Sequence, residues 1–459
     1  MKRFIAGILS CTLFTLLVGS SSDALVKEHV YEEVLPNGLK VLLMENHKAP
    51  VVTFRVWHRV GSRNEEWGKT GLSHMLEHMM FKGTNTVLPE EFSRIIQENG
   101  GNDNAFTSAD FTAYFENISA DRVNIPIRLE SDRMQNLILR EKDFDTERMV
   151  VMEERRLRTD DSPQAYLSEQ LEATAFQVQP YHWPTIGWME DIRRFTLEDL
   201  KAYYHTYYNP ANTFLVVVGD FRKEVLLPEI RQAFGAIPKG LVPEQRRDQE
   251  EPQHGERRIF VKKEAQLPAL LIGYHVPNLS DPDCYTLEVL AAVLSSGKSS
   301  RLYRNLVQEK QLALSADSDY SLNSYDPGLF FLSAEVFPGK EPGEVETALN
   351  QEVERLQKEA VGERELEKAK NQLEAEFTYA QDSLFYQAML LAQYEIAKDW
   401  KIADDYVPSV RKVTSQEIMR VAKKYLVPDN RTVGVLVPLH ADKSKSAPEV
   451  PFGNTRIIR

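Results

Sequence analysis

Two histidines and a glutamate within five residues, His74-Met75-Leu76-Glu77-His78, are the pattern in this chain most able to do chemistry. On a helix, positions four apart lie one above the other. His74 and His78 can then aim two imidazoles at one point, as a tetrahedral metal requires. Glu77 projects close by, within reach of a water at that metal. Two nitrogen ligands, an open position and a carboxylate to take a proton are what a zinc hydrolase needs. Histidine is scarce, at 10 of 459 residues. The surroundings, Leu72, Met75, Leu76, Met79, Met80 and Phe81, are apolar on nearly every face, so the predicted helix is buried. A buried ionisable cluster is costly unless it is paired or metal-bound.

A third protein ligand has to come from elsewhere. The stretch from Asp143 to Arg156 reads as a helix, with Thr146 as a candidate cap and acids in its first turn. Glu147 and Glu154 are two turns apart and share a face. One can bind metal while the other orients a ligand or water. Spacing alone leaves Glu153 and Glu154 as alternatives.

These segments resemble the pitrilysin/insulinase family of inverted-zincin metallopeptidases, especially its two-domain branch, which includes the mitochondrial processing peptidase and bacterial two-chain relatives. The matching residues run from Gly71 through His74-Met75-Leu76-Glu77-His78 to Lys82-Gly83-Thr84. Glu147-Arg148 with Glu154, and Asn209 through Asp220, match further downstream. The resemblance implies one zinc ion per chain, held by His74, His78 and Glu154. It also implies Glu77 as the proton acceptor and Glu147 as a catalytic carboxylate behind the ligands. Gly100 to Thr107 followed by Thr112 to Glu116 reads as a Gly-rich turn feeding strands. In the family the Asn-Ala part lies on an edge strand, so Asn104 and Ala105 are expected to bind substrate, an extended peptide added as a strand. The implied activity is endopeptidase cleavage of short or unfolded peptides in an enclosed chamber. The rival reading is an exported assembly or peptide-binding protein that keeps the fold without catalysis.

The chain is also internally repeated. Thr196, Tyr207, Pro210 and Asn212 recur as Thr414, Tyr425, Pro428 and Asn430, and each set reads as a capped helix, a Pro-containing break and a strand. The expected fold class is α+β: two homologous domains, each a mostly antiparallel sheet with helices packed on one face. The predicted divisions are a signal peptide over 1–24, a catalytic zinc-binding domain over 25–237 and a charged, Pro-containing linker over 238–258. A homologous non-catalytic domain over 259–445 and a tail over 446–459 complete the chain. The run from Glu363 to Lys398 reads as helix, with room for a break.

The second half has no His-x-x-Glu-His. Family members acting alone place an Arg and a Tyr seven apart in that half; here Val307 and Leu314 stand in their places, with Arg301, Tyr303 and Arg304 as possible substitutes. This departure implies a homologous, non-catalytic partner subunit supplying the pair, or a homodimer.

A formal charge of -13 argues against nucleic acid, which favours basic faces. Met1-Lys2-Arg3, an apolar run from Phe4 to Gly19 and small residues up to Ala24 read as an export signal. The run is short for a spanning helix, so no stable membrane insertion is expected and the periplasm is the favoured location, with secretion or anchoring as alternatives. Without that segment Cys284 is the remaining cysteine, which excludes an internal disulfide. His182, between Tyr181 and Trp183, reads as a packing residue, with a place in a substrate groove as the alternative, and His205, among tyrosines, reads as structural.

Overall fold

A computed structural model describes residues 26–245 and 247–439. The predicted export signal and the tail lie outside the described residues.

Two sheets organise the chain. The first contains β1 (Val30–Val34), β2 (Lys40–Glu45), β3 (Val51–His58), β4 (Asn102–Thr107), β5 (Thr112–Ser119) and β6 (Thr213–Gly219), in the order β1-β2-β6-β3-β5-β4. The second contains β7 (Arg257–Glu264), β8 (Ala269–Val276), β9 (Ala313–Asp319), β10 (Gly328–Val336) and β11 (Arg431–Leu439), in the order β7-β11-β8-β10-β9. Neighbours are antiparallel except β2 with β6 and β7 with β11. The closing strand of each half is thus inserted beside an earlier one in the same way.

The repeat read from sequence has a structural cause. Thr196 and Thr414 cap their helices by accepting the N–H of Asp199 and Glu417. Asn212 and Asn430 then donate to the Tyr207 and Tyr425 carbonyls at 3.0 and 2.8 Å, fixing the turn before each closing strand.

Each sheet packs helices of its own half on one face, as the alternation of apolar residues predicts. Val41, Leu43, Phe54, Leu215 and Val217 meet Leu226, Ile230 and Phe234 of the Lys223–Phe234 helix. The other face is covered too, by a helix from the opposite half. Leu42, Phe214, Val216 and Val218 meet Ala388, Leu391 and Ala392 of the Leu384–Ala397 helix. Reciprocally, Leu167 and Leu171 of the Pro163–Ala175 helix lie on the second sheet. Glycine permits that approach: a Cβ at Gly434 would sit 3.0 Å from Leu167, and one at Gly273 3.2 Å from Leu171. The helical run after Glu363 does break, into Glu363–Ala380 and Leu384–Ala397, and the second piece makes the crossing.

Buried ion pairs also join the halves. Arg63 reaches Asp326 at 2.6 Å, with side chains 3% exposed on both sides. Glu395 accepts from Lys40 at 2.8 Å and from Arg59 at 2.5 Å. Removing one member of such a pair strands a buried charge. Among the described residues, no helix is long and apolar enough to cross a membrane.

Candidate metal centre

The five-residue motif lies on the helix Leu72–Met79, which is buried as its composition predicts: Met75, Leu76 and Met79 are fully covered. Its start is unusual. Gly71 has φ 93°, and an added Cβ would lie 2.6 Å from the Ile186 carbonyl oxygen, so glycine is required there. The Glu65 carboxylate accepts from the N–H groups of Gly71 and Ser73 at 2.6 and 2.7 Å. It thereby caps the helix by satisfying two N–H groups that helical bonding leaves open. Burial pushes the Glu65 carboxyl up to about 8 against the pull of those bonds.

The second supporting helix spans Glu141–Arg155 and continues into a wider-turned segment, Arg156–Asp160. It begins earlier than the sequence reading placed it. Thr146 is therefore not a cap; its hydroxyl donates to the Lys142 carbonyl one turn back. Glu141 and Asp143 are the acids of the first turn, because helical geometry extends back to Glu141. The far end is anchored by Arg155, which is buried. It donates to both Glu169 oxygens at 2.8 and 3.0 Å and to the Gly187 carbonyl at 2.8 Å.

Where the two helices face each other, ligand atoms of His74, His78 and Glu154 all lie within 4.8 Å of one another. One Glu154 oxygen is 3.2 Å from His78 Nε2 and 3.7 Å from His74 Nε2. Its other oxygen meets Arg158 at 2.9 Å. Glu153, the alternative left open by spacing, pairs with Arg156 at 2.7 Å and is 56% exposed. Glu147 lies behind His78, 2.8 Å from Nδ1, and its second oxygen is 2.6 Å from the Lys82 ammonium. The Glu77 carboxylate accepts from the Thr107 hydroxyl at the end of β4.

Three carboxylates, those of Glu77, Glu147 and Glu154, bear on His78. Burial, then repulsion from His78, pushes His74 down to about 4. Burial also opposes charge on His78, but hydrogen bonds to Glu147 and Glu154 prevail and hold it at about 9. Burial raises Glu77 above the usual carboxylate range, with the Thr107 bond opposing. His74 Nδ1 is buried without a hydrogen-bond partner among the described residues. Two imidazoles and a carboxylate converge, with His78 Nδ1 tied to Glu147 and the outer Glu154 oxygen tied to Arg158, and form a donor set that fits zinc.

Asn104 and Ala105 lie on β4, the free edge of the first sheet. The Ala105 N–H is not spent on β5; it donates to the side-chain oxygen of Asn104 at 2.8 Å. In the second half, Val307 packs against the core, while Leu314 lies on edge strand β9 and is 44% exposed. Arg301, a possible substitute for the missing Arg, is held by Glu365 through two bonds of 2.8 Å.

Glu65, Lys82, Thr107, Arg155 and Arg158 received no role from sequence. Thr107 and Lys82 fall inside segments that were singled out, but only the fold shows what they touch. No local pattern joins Glu65 to Gly71 or Arg155 to Glu169.

Comparison with known proteins agrees with this geometry. The model of the insulinase family (peptidase family M16) matches residues 40–187, and that of the M16 inactive domain matches 194–373. The chain is 34% identical over 457 residues to the zinc protease PqqE of Helicobacter pylori, covering 95% of this chain and 100% of that one. It is 25% identical over 415 residues to a probable mitochondrial-processing peptidase subunit beta of Arabidopsis thaliana, covering 88% of this chain and 78% of that one. The crystal structure of a Helicobacter pylori protease superposes with a TM-score of 0.86 at 34% identity, over 89% of this chain and 99% of the other. With near full-length similarity, two matched α+β halves and the inverted motif in the first of them, the chain belongs to the insulinase family of peptidases, M16.

Proposed function

We propose that this protein is a zinc-dependent endopeptidase acting on short or unfolded peptides. The observation that carries the reading is the convergence of His74, His78 and Glu154 ligand atoms within 4.8 Å. A zinc ion held by these three side chains supplies a Lewis acid for the scissile carbonyl and acidifies water. Glu77 is the base: it takes the proton from the attacking water and delivers it to the leaving amine. Thr107 fixes Glu77 by donating to its carboxylate. Glu147 orients the His78 ring, and Lys82 neutralises Glu147. A peptide adds as a strand to the edge of β4, taking the Ala105 N–H that Asn104 now occupies.

The first half carries the chemistry and the second supports it by covering its sheet. The absence of an Arg and Tyr at Val307 and Leu314 supports a role as the catalytic subunit of a two-chain assembly, or as one chain of a homodimer. The N-terminal sequence supports export, with the periplasm as the favoured destination.

The test is metal analysis of the purified chain, with cleavage of quenched peptides and mass spectrometry of the products. The expected result is one zinc per chain and chelator-sensitive peptide-bond hydrolysis. Zinc-free protein with no chelator-sensitive cleavage, alone or with a homologous partner, overturns the reading. Vigorous turnover by a proven monomer overturns the partner component alone.

A further inference from the structure

Past Glu154 the second supporting helix does not continue regularly. Over Arg156–Asp160 it opens into a wider turn, in which the Asp161 N–H donates to the Arg156 carbonyl five residues back, at 2.7 Å. Such turns interrupt the regular ladder, re-aim the side chains they carry and are frequent at functional sites. The side chain carried to the metal centre here is Arg158. Its guanidinium meets one Glu154 oxygen at 2.9 Å, while the other Glu154 oxygen faces His78 Nε2 and His74 Nε2 at 3.2 and 3.7 Å. Arg158 is 74% exposed. An ion pair that open to water holds its geometry poorly by itself, so its direction has to come from the backbone beneath it.

That backbone is tied to the other half of the chain. Lys263, on β7 of the second sheet, donates to the carbonyl of Asp160, the last residue of the wide turn. The same ammonium lies over the Tyr166 ring, 4.2 Å from its centroid. Tyr166 and Leu167 pack in turn on Val261 and Leu436 of the second sheet. The Asp160 carboxylate faces Arg155 at 3.5 Å. The end of the turn is thus gripped by a lysine from the second half and by an arginine of its own helix.

We propose that Lys263 and Arg158 form a positioning relay through which the second half sets how Glu154 meets the metal. Lys263 fixes the wide turn, the turn aims Arg158, and Arg158 occupies one Glu154 oxygen. The other oxygen is left as a single donor beside two imidazoles, which keeps a fourth position open. Without Arg158 both oxygens are free for the metal, and the open position fills. The relay rests on the zinc-site reading above and adds to it a task for the half that lacks the motif.

The experiment replaces zinc with cobalt(II) in the full chain and records its visible bands, which report coordination geometry and weaken as coordination rises above four. Arg158→Gln and Lys263→Met should each lower the band intensity by about twofold or more at equal cobalt content. The double variant should fall no further than Arg158→Gln, because both changes act through one contact. Arg158→Lys should recover most of the intensity. Arg156→Gln, on the same turn but paired with Glu153, and Lys262→Met, the exposed neighbour on β7, should leave the bands unchanged. Circular dichroism of the same samples separates a changed site from a lost fold, and Lys263→Gln repeats the test with a polar replacement. Wild-type bands in Arg158→Gln or in both Lys263 variants overturn the relay, as do additive losses in the double variant. Cobalt bands that survive intact in His74→Ala overturn the zinc-site reading as well.

Discussion

His78 Nδ1 lies 2.8 Å from Glu147, and the other oxygen of that carboxylate lies 2.6 Å from Lys82. The contact leaves Nε2 of the same ring facing Glu154. Glu147 is thus placed to fix the tautomer and angle of a ligand rather than to be one. Glu147→Gln should weaken zinc binding about 10- to 100-fold, the usual cost of losing such a partner. Competition against a chromophoric chelator measures this, and Lys82→Met should show a smaller loss. Wild-type affinity in Glu147→Gln would remove Glu147 from the account.

Glu77 contacts Thr107 rather than the ligand cluster, which separates proton transfer from metal binding. Glu77→Gln should keep its zinc while kcat falls by roughly 10²- to 10⁴-fold, the range for loss of a general base. His74→Ala should lose both zinc and turnover. Metal content and steady-state rates on the same preparations decide; normal cleavage by Glu77→Gln contradicts the assigned role.

The Ala105 N–H is the group a bound strand would take from Asn104. Proline is tolerated on sheet edges but cannot donate. Ala105→Pro should raise KM about 2- to 10-fold, the worth of one hydrogen bond, with zinc content unchanged. An unaltered KM would exclude β4 as the peptide-binding edge.

Helix exchange makes the halves interdependent. Leu391, in the second half, is fully buried against the first sheet. Leu391→Ala should destabilise by about 2–5 kcal/mol, as for other core leucines. Denaturant unfolding should remain a single transition by tryptophan fluorescence and circular dichroism. Two transitions, with only one shifted, would contradict coupling through this helix.

Asp283 is buried in the second half. Its hydrogen bond from Arg420 holds the carboxyl well below the usual range against opposing burial, and Lys424 and Tyr425 add to the pull. A pKa depressed by folding contributes stability that is present above the unfolded value of about 3.9 and lost as pH falls through the folded value. Asp283→Asn should therefore lower stability at neutral pH and flatten its decline under acid. Parallel acid limbs for variant and wild type would show that the pair does not contribute.

The site and the fold were legible to different depths. Helical spacing alone sets His74 and His78 on one face, and Glu147 and Glu154 on another. The repeat was visible because Thr196 and Asn212 do the same backbone work as Thr414 and Asn430, which constrains residue type locally. The exchanged helices were not legible: Leu171 and Leu391 lie on helices with little apolar-polar asymmetry, and nothing in that pattern names the sheet they cover. Thr146 was misread because a threonine beside acids satisfies the cap pattern whether or not the helix begins earlier. Glu65 and Arg155 act across long sequence separations, where periodicity carries no information.

The most direct test of the central claim is zinc-edge anomalous diffraction from crystals of the intact protein. The account predicts one strong peak per chain, about 2.0–2.2 Å from an imidazole nitrogen of His74, one of His78 and a carboxylate oxygen of Glu154. An ordered structure with no peak among these side chains, or with the zinc bound elsewhere, would contradict it.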